Sequence, residues 1–251
     1  MILHSEQKKS GIVRFEAKKQ IGVLTIDNGT QNKIPQPHFL ELSCLKEWLS
    51  EQELKGLIIV GHGRHFSAGA DVGNIKADRD NPEFFGESLK KGRAILDYIE
   101  SLPIVTVAAI SGICFGAGLE IALSCQFRIG TDNAILAFPE SNIGIMPGLA
   151  GTIRLPGKIG KSRALEIIIS GRSVVAGEAC AIGLIDKIVP NKEHLSAAIQ
   201  FIDELTQNKS LHQVKSIVQS VNNSVTGTKE AAMEYEGKMF LELVKNLQGD
   251  F

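Results

Sequence analysis

Residues 111–120 read Ser-Gly-Ile-Cys-Phe-Gly-Ala-Gly-Leu-Glu, directly after an apolar run that ends at Ile110. A second run of small residues, His-Phe-Ser-Ala-Gly-Ala-Asp at 65–71, follows the apolar run Gly56–Val60. Short apolar runs of this kind are typical of buried strands in a parallel sheet. In such sheets ligands bind at the carboxyl ends of the strands, where small residues let backbone N–H groups approach a ligand closely. The two runs therefore predict a binding site at one edge of a sheet.

The elements predicted around these runs alternate between strand and helix. They are a hairpin of Ile12–Phe15 and Val23–Ile26, a helix carrying Phe39, Leu40, Leu42, Leu45 and Leu49, the strand Gly56–Val60, a helix over Glu83–Glu100, a strand over Ile104–Ile110, a helix from Gly118 to about Cys125, and a strand at Phe127–Gly130. Apolar strands separated by helices are typical of α/β layers with a mainly parallel sheet. The predicted fold class is therefore α/β.

The last quarter of the chain has a different pattern. From Glu193 onward the apolar residues recur at helical spacing only. We therefore predict an α/β core over residues 1–190 and a helical region over residues 191–251. Because this region is too small to build a core of its own, we expect it to pack on the α/β core or on a neighbouring subunit.

The composition excludes several classes of protein. Hydrophobic residues make up 43% of the 251 residues and charged residues 22%, as in a folded soluble chain. The formal net charge of -1 gives no general attraction for nucleic acid or for an anionic membrane, so neither is predicted as a partner. Residues 1–15 contain no signal-peptide core, which predicts a cytoplasmic protein.

One stretch, Ser101–Leu119, is uncharged and long enough to suggest a membrane span. Pro103 lies near its beginning, three glycines interrupt it, and Glu120 follows it at once. A buried strand, a tight turn and the beginning of a helix explain the stretch better than a span.

Motifs of other enzyme classes are incomplete. Gly160-Lys161-Ser162 resembles the end of a phosphate-binding loop, but the glycine required five positions earlier is Leu155. Gly116 and Gly118 begin a dinucleotide-binding pattern whose third glycine is replaced by Ile121. The six histidines lack metal-ligand spacing, and there is no Gly-x-Ser-x-Gly motif. The sequence therefore predicts no metal site and no serine hydrolase triad.

The two runs of small residues suit an oxyanion hole. If one backbone N–H from each run points at the same carbonyl oxygen, the pair stabilises negative charge on that oxygen. The second run also precedes a predicted helix, whose N-terminus is partially positive. The alternative is that the glycines only permit tight turns between strand and helix. For either run alone, the two interpretations are about equally favoured.

Two carboxylates accompany the runs. Glu120 ends the second run among apolar neighbours, and Glu140 follows Phe138 and Pro139. Each could be an ordinary acid near the beginning of a helix. However, burying an unpaired carboxylate costs roughly several kcal/mol, so Glu120 needs a further reason to be there. Paired carboxylates beside an oxyanion hole can exchange protons with water and carbon if burial raises the pKa of at least one of them.

Taken together, these segments resemble the signature of the crotonase (enoyl-CoA hydratase/isomerase) superfamily. The resemblance extends to residues 144–156 and continues through Gly160–Ala164, Ser170–Arg172 and Ala181–Asp186, covering about residues 11–190 in order. It implies a crotonase-like core, a spiral of ββα units shared with ClpP, followed by a C-terminal helical region. Several motifs in the family's order make the match more specific than any one of them.

The resemblance assigns roles to particular residues. The family's two oxyanion N–H groups fall on Ala70 and Ala117, and its two hydratase glutamates fall on Glu120 and Glu140. Contacts to the CoA moiety are implied for a set that begins in the loop 32–35, namely Lys33, Ala68, Asp71, Val72 and Gly148. CoA is part of the substrate, so no separate cofactor is predicted.

The sequence departs from the family pattern at two places. The position of Ala117 is usually glycine in the family, so its methyl group must fit beside the thioester. Family members commonly carry a further C-terminal helix after the position of Leu243, whereas this sequence ends at Phe251. That helix, with its CoA contact, is expected to be missing. The family also implies a homotrimer or a homohexamer, with residues 191–251 as the trimerisation region.

The implied reaction is reversible syn hydration of a 2-trans-enoyl-CoA to a 3-hydroxyacyl-CoA. One alternative is double-bond isomerisation, which needs only Glu140. Another is a dehydratase or decarboxylase that acts on carrier-protein thioesters in polyketide biosynthesis. A non-catalytic scaffold or RNA-binding protein on this fold is disfavoured by the two carboxylates and the near-neutral charge. The fold alone does not decide among these alternatives.

Overall fold

The structure of the protein is a computed structural model, which describes residues 8–77 and 80–247. Its main sheet has seven strands in the order β1-β2-β3-β4-β5-β7-β10. Their bounds are β1 Lys8–Ser10, β2 Val13–Lys18, β3 Ile21–Ile26, β4 Gly56–Gly61, β5 Val105–Ile110, β7 Phe127–Thr131 and β10 Lys187–Val189. β1, β2 and β3 are antiparallel neighbours, and the pairs from β3 to β10 are parallel. The predicted α/β class and N-terminal hairpin are confirmed.

A smaller sheet lies beside the carboxyl end of β5. It consists of β6 (Ile113–Phe115), β8 (Ile135–Ala137) and β9 (Ser173–Val175), in that order. β6 is parallel to β8, and β9 is antiparallel to it. β6 lies within the second run of small residues, so this run continues from the main sheet into the small one.

Ten helices complete the described part of the chain. Their bounds are α1 Leu42–Ser50, α2 Val72–Ala77, α3 Pro82–Ser101, α4 Ala117–Leu123, α5 Gly151–Ile159, α6 Lys161–Ser170, α7 Ala176–Ala181, α8 His194–Thr206, α9 Leu211–Thr226 and α10 Lys229–Lys245. A 3₁₀ helix covers Pro139–Ile143. The predicted helix over Glu83–Glu100 corresponds to α3, and the helical region after Glu193 corresponds to α8, α9 and α10.

The main sheet is covered on both faces. In β4, Leu57 and Ile59 belong to the larger apolar cluster, whereas Ile58 and Val60 belong to a second cluster on the opposite face. This alternation follows from the two-residue period of a strand. Because both faces of the sheet are buried, β4 is apolar at every position, and its sequence does not alternate between apolar and polar residues.

One helix begins later than predicted. Phe39 and Leu40 are buried but precede α1, which begins at Leu42. The Phe39 carbonyl accepts a hydrogen bond from the N–H of Ile12, and the Ser10 hydroxyl accepts one from the N–H of Glu41. These contacts with the N-terminal strands hold the segment out of the helix, so the prediction was wrong at this boundary.

The C-terminal helices differ in how deeply they are buried. α8 packs on the second apolar cluster through Ala198 and Ile202. Only two residues of α9 are buried, and none of α10. The two helices leave several large apolar side chains exposed, namely Ile217, Val221, Val225, Met233, Phe240, Leu241 and Val244. The division of the chain at residue 190 and the trimerisation role of residues 191–251 stay predictions.

The uncharged stretch Ser101–Leu119 forms the end of α3, β5, β6 and the beginning of α4. The stretch is therefore divided among four elements and does not form one continuous helix that could span a membrane. In the part of the chain that the structure describes, no helix has both the length and the apolar character needed to cross a membrane.

Candidate active site

The two runs of small residues lie side by side. Ser67 and Cys114 face each other in a parallel bridge. The N–H of Ser67 donates to the carbonyl of Ile113 over 3.1 Å, and the N–H of Phe115 donates to the carbonyl of Ser67 over 3.0 Å. A Cβ atom on Gly69 would lie 2.7 Å from the Phe115 oxygen and 3.5 Å from the Ala117 nitrogen. Only glycine permits this close approach, which packs the residue before Ala70 against the backbone that leads to Ala117.

The N–H groups of Ala70 and Ala117 remain free. Within residues 8–77 and 80–247, neither N–H donates a hydrogen bond, whereas the N–H of the next residue, Asp71, donates to the carbonyl of Ile34 over 2.9 Å. Ala117 is the first residue of α4, so its N–H has no partner within the helix. Both alanines line the same cavity. Two unpaired N–H groups on residues that line one cavity have the chemistry of an oxyanion hole.

The loop around Asn32 supports the first run. Asn32 is fully buried with a positive φ of 48°, and its amide nitrogen donates to the carbonyls of His62 (2.9 Å) and His65 (2.8 Å). The Ser67 hydroxyl donates to the Asn32 carbonyl over 2.7 Å and accepts from the N–H of Gly69 over 3.1 Å. These bonds fix the backbone that leads to Ala70.

Glu120 is held by the backbone of another segment. Its side chain belongs to α4 and is 2% exposed, and its Oε1 accepts 2.7 Å hydrogen bonds from the N–H groups of Leu149 and Gly151. Among the described residues Oε2 makes no hydrogen bond. Burial, together with the charge of Glu140, raises the pKa of the Glu120 carboxyl from 4.5 to about 7, against the lowering effect of the two N–H groups and of Arg154. One oxygen is thus anchored, and the other can serve as a base.

A buried arginine fixes the peptide that anchors Glu120. Arg154 on α5 donates through Nη1 to the Leu149 carbonyl over 3.0 Å. Its other nitrogens bind Asp97 and Glu100 on α3. The Leu149 peptide is therefore bound from both sides, by the carboxylate of Glu120 at its N–H and by Arg154 at its carbonyl.

Glu140 approaches the cavity from the 3₁₀ helix. Its Oε2 is buried and has no hydrogen-bond partner among the described residues. Burial raises the pKa of the Glu140 carboxyl from 4.5 to about 7. Protonation would remove the cost of leaving a charged oxygen unpaired, so the environment favours the neutral acid near neutral pH.

These groups meet in a cavity of about 470 Å³. Six of the residues singled out in the sequence line it, namely Ala70, Asp71, Ala117, Glu120, Glu140 and Gly148. Three others do not. The side chain of Lys33 is exposed, Ala68 donates its N–H to the Gln31 carbonyl over 2.8 Å, and Val72 begins α2 with an exposed side chain.

Several lining residues were not singled out individually in the sequence, although the stretch Val72–Leu89 was expected to line one side of the pocket. Phe85, Leu89 and Arg93 on α3 recur at every fourth position and face the cavity together. This spacing on one helix face was a signal that could have found them. Arg93 donates to the Gly148 carbonyl over 2.8 Å, which ties α3 to the opposite wall. Met146 also lines the cavity, but no sequence pattern marks it.

No convergence of three or more His, Cys, Asp or Glu side chains that could hold a metal ion exists within the described ranges. The groups in the cavity that could transfer a proton or stabilise negative charge include the carboxyl groups of Glu120 and Glu140 and the free N–H groups of Ala70 and Ala117.

Comparison with known proteins identifies the family of the chain. Residues 16–249 match the model of the enoyl-CoA hydratase/isomerase family. A protein named probable enoyl-CoA hydratase from Bacillus subtilis (strain 168) is 34% identical over 225 residues, which are 88% of this chain and 86% of that protein.

Solved structures share the fold. An enoyl-CoA hydratase from Geobacillus kaustophilus HTA426 superposes with a TM-score of 0.85 at 26% identity, covering 95% of this chain and 90% of that one. Pseudomonas aeruginosa DspI superposes with a TM-score of 0.86, also at 26% identity, covering 96% of this chain and 92% of that one.

The fold and the match define the class of protein as a crotonase-superfamily enzyme. The chain belongs to the enoyl-CoA hydratase/isomerase family.

Proposed function

We propose that the protein is an enoyl-CoA hydratase, which reversibly adds water to a 2-trans-enoyl-CoA in the syn sense to give a 3-hydroxyacyl-CoA. The observation that carries the proposal is the meeting of two buried carboxyl groups, each with a pKa of about 7, and two free N–H groups in one cavity. Hydration needs one base and one acid at the same pH. Two carboxyl groups that titrate near neutrality supply both.

The substrate's thioester oxygen would accept hydrogen bonds from the N–H groups of Ala70 and Ala117. These donors cannot lose their protons and are fixed by the paired runs, so they need no reorganisation as negative charge develops on the oxygen. The partial positive charge at the first turn of α4 acts in the same direction. The enolate formed by attack on C3 is thereby stabilised.

Each carboxyl group then has one task. Through Oε2, Glu120 takes a proton from water as the water oxygen bonds to C3, and the electrons of the double bond move into the enolate. Glu140 gives its proton to C2 as the enolate collapses to the thioester. One water is added in total. The two glutamates have exchanged protonation states, and proton exchange with solvent restores them.

The CoA moiety would extend from the cavity over the loop 32–35 and the segment 68–72. The exposed cation of Lys33 is available to a phosphate group. Asp71 and Gly148 line the cavity itself. Ala68 and Val72 would contribute from the segment beside it. CoA is part of the substrate in this proposal, and no separate cofactor is involved.

A second candidate is isomerisation between 3-enoyl-CoA and 2-enoyl-CoA. It is favoured by the free, buried Oε2 of Glu140, since one carboxyl group of this kind can move a proton between two carbons. In that reaction Glu120 would stay idle. Its anchoring by two N–H groups and its raised pKa support a chemical task and hence hydration.

The experiment is a panel of 2-trans-enoyl-CoAs of increasing acyl length, followed by the loss of absorbance of the conjugated thioester. Hydration predicts a loss of absorbance with at least one chain length and the 3-hydroxyacyl-CoA as product. A matched panel of 3-enoyl-CoAs tests the second candidate, because isomerisation alone creates the absorbance. Turnover of the second panel only would replace the hydratase proposal with isomerisation.

We further propose that the protein is a homotrimer or a pair of trimers, formed through residues 191–251. The support is the row of exposed apolar side chains on α9 and α10, since large apolar patches usually mark protein contacts.

A further inference from the structure

His65 connects three segments around the oxyanion hole. Its carbonyl accepts the 2.8 Å hydrogen bond from Asn32, and its ring Nδ1 accepts a 3.1 Å hydrogen bond from the backbone N–H of Ile113. Ile113 begins β6, which leads directly to Ala117. His65 itself precedes Phe66 in the run that leads to Ala70. The ring does not line the cavity.

The ring replaces a backbone bond of the ladder. From the bonds at Ser67, a regular parallel ladder continued by one step would pair the N–H of Ile113 with the carbonyl of His65. That carbonyl is already bound to Asn32. In addition, the N–H of Phe66 donates to the Ser111 carbonyl over 2.8 Å, which breaks the regular spacing at this point. The side chain of His65 supplies the acceptor that the main chain lacks.

Gly112, which immediately precedes Ile113, packs against the imidazole ring of His65. A Cβ atom on Gly112 would lie 2.5 Å from Nδ1 of His65 and 2.7 Å from the Arg64 carbonyl, and the φ of Gly112 is +56°. The backbone of the second run therefore lies directly against the imidazole. Because the N–H of Ile113 is the donor, Nδ1 must carry no proton, which requires the neutral ring with its proton on Nε2. Burial, with the charge of Arg64, lowers the pKa of His65 and favours this neutral form.

We propose that His65 is a positioning residue of the oxyanion hole: through Nδ1 it fixes the run that carries Ala117 against the run that carries Ala70. It does not contact the substrate. It sets the separation of the two N–H groups that would bind the thioester oxygen. This inference rests on the proposed function, because it assigns His65 a part in the same hole. Misplacement of catalytic groups by about 1 Å can lower a rate by roughly a hundredfold, so the effect should appear in kcat.

The test compares two substitutions at the same position. In His65→Asn, the amide Oδ1 replaces Nδ1 as acceptor, whereas His65→Leu keeps a side chain of similar bulk without an acceptor. We expect His65→Leu to lower kcat about tenfold or more with little change in KM. We expect His65→Asn to stay within about threefold of the wild type. His62→Leu is the matched control, because that ring contacts Asp27 and leaves Ile113 untouched, so its kcat should not change.

A second readout does not depend on turnover. A conjugated thioester that binds without reacting absorbs further to the red when its carbonyl oxygen accepts hydrogen bonds. The red shift should be nearly the same in the wild type and His65→Asn, and smaller in His65→Leu. If the wild type shifts the absorbance of the bound thioester but turns over no enoyl-CoA, the proposed function is contradicted. The comparison of His65→Asn with His65→Leu by red shift can still be made.

Two outcomes would overturn the inference. One is a folded His65→Leu protein with the wild-type kcat and red shift. The other is an equal loss in His65→Asn and His65→Leu, which would mean that the acceptor is not what matters. If His65→Leu does not fold, ¹⁵N spectra of the histidine rings in the wild type decide. A proton on Nε2 of His65 supports the inference, and a proton on Nδ1 contradicts it.

Discussion

Glu140 lies against the one face of Gly116 that a side chain would occupy: a Cβ atom on Gly116 would be 2.7 Å from the Glu140 Oε1. Gly116 has a φ of +49° and immediately precedes α4. The glycine thus serves two purposes. It permits the turn that presents the N–H of Ala117, and it leaves room for the carboxyl group that we propose as the proton donor.

Gly116→Ala is therefore expected to move Glu140 and to lower kcat by about tenfold or more. The backbone conformation of Gly116, with a φ of +49° and a ψ of −122°, should add a loss of about 1–3 kcal/mol in the free energy of unfolding. Gly29→Ala is the matched control, since Gly29 has a φ of +67° but no atom within 4 Å of an added Cβ. The control should lose stability and keep its kcat. If Gly116→Ala and Gly29→Ala have the same kcat as the wild type, the space beside Glu140 is not needed for turnover.

The pKa of Glu120 makes stability depend on pH in a defined direction. Because the pKa is raised from 4.5 to about 7, the folded state binds this proton more tightly than the unfolded state between those values. The contribution of Glu120 to stability therefore falls as the pH rises through this range. In Glu120→Gln the amide oxygen can still accept both N–H groups, and no charge is buried.

We expect Glu120→Gln to be more stable than the wild type above pH 7, by up to about 3 kcal/mol, with the difference vanishing towards pH 4.5. Denaturant unfolding at several pH values and one fixed protein concentration measures this. If Glu120→Gln is less stable than the wild type at pH 8 and the difference does not depend on pH, burial of the ionised Glu120 carboxylate does not destabilise the folded protein.

Substitutions that change the size of the side chain at Ala117 test the oxyanion hole. Ala117 is buried at the wall of the cavity, so a larger side chain would block the thioester oxygen without removing the N–H. We expect Ala117→Val to lower kcat by roughly a hundredfold or more, the effect of losing one oxyanion donor. Ala117→Gly should keep its activity and cost about 1 kcal/mol at most in helix stability. Normal turnover by a folded Ala117→Val protein would place the thioester oxygen elsewhere.

The sequence was sufficient for five strands of the main sheet and for naming the residues of the proposed chemistry, whereas β1, β10 and the three strands of the small sheet were not predicted. The runs at 65–71 and 111–120 followed apolar strands, and parallel strands end at a common edge, so their meeting followed from fold class alone. Glu120 stood out because an acid among apolar residues needs a reason.

The remaining features depend on tertiary contacts. The N–H groups that bind Glu120 come from residues 29 and 31 positions away, and no local pattern identifies them. The beginning of α1 was mistaken because the Phe39 carbonyl is bound by Ile12, a contact that helical spacing cannot reveal. The same holds for the ring of His65, whose partner lies 48 positions along the chain.

Assembly is the fourth prediction. Val225 and Phe240 are 83% and 64% exposed, and burying such side chains between subunits would remove apolar area from water. Light scattering at micromolar concentration should give the mass of a trimer or a hexamer. Phe240→Glu should shift the mass towards the monomer while far-ultraviolet circular dichroism stays unchanged. A wild-type monomer under these conditions would refute the proposed assembly.

The most direct test of the proposed hydration is the steady-state turnover of the best 2-trans-enoyl-CoA by Glu120→Gln and Glu140→Gln. Both variants keep the shape of the cavity and lose one proton-transfer group. Each is expected to lower kcat by a factor of about a hundred or more, with KM nearly unchanged, because the lost interaction acts only in the transition state. Full activity of a folded Glu120→Gln protein on this substrate would contradict hydration by two glutamates.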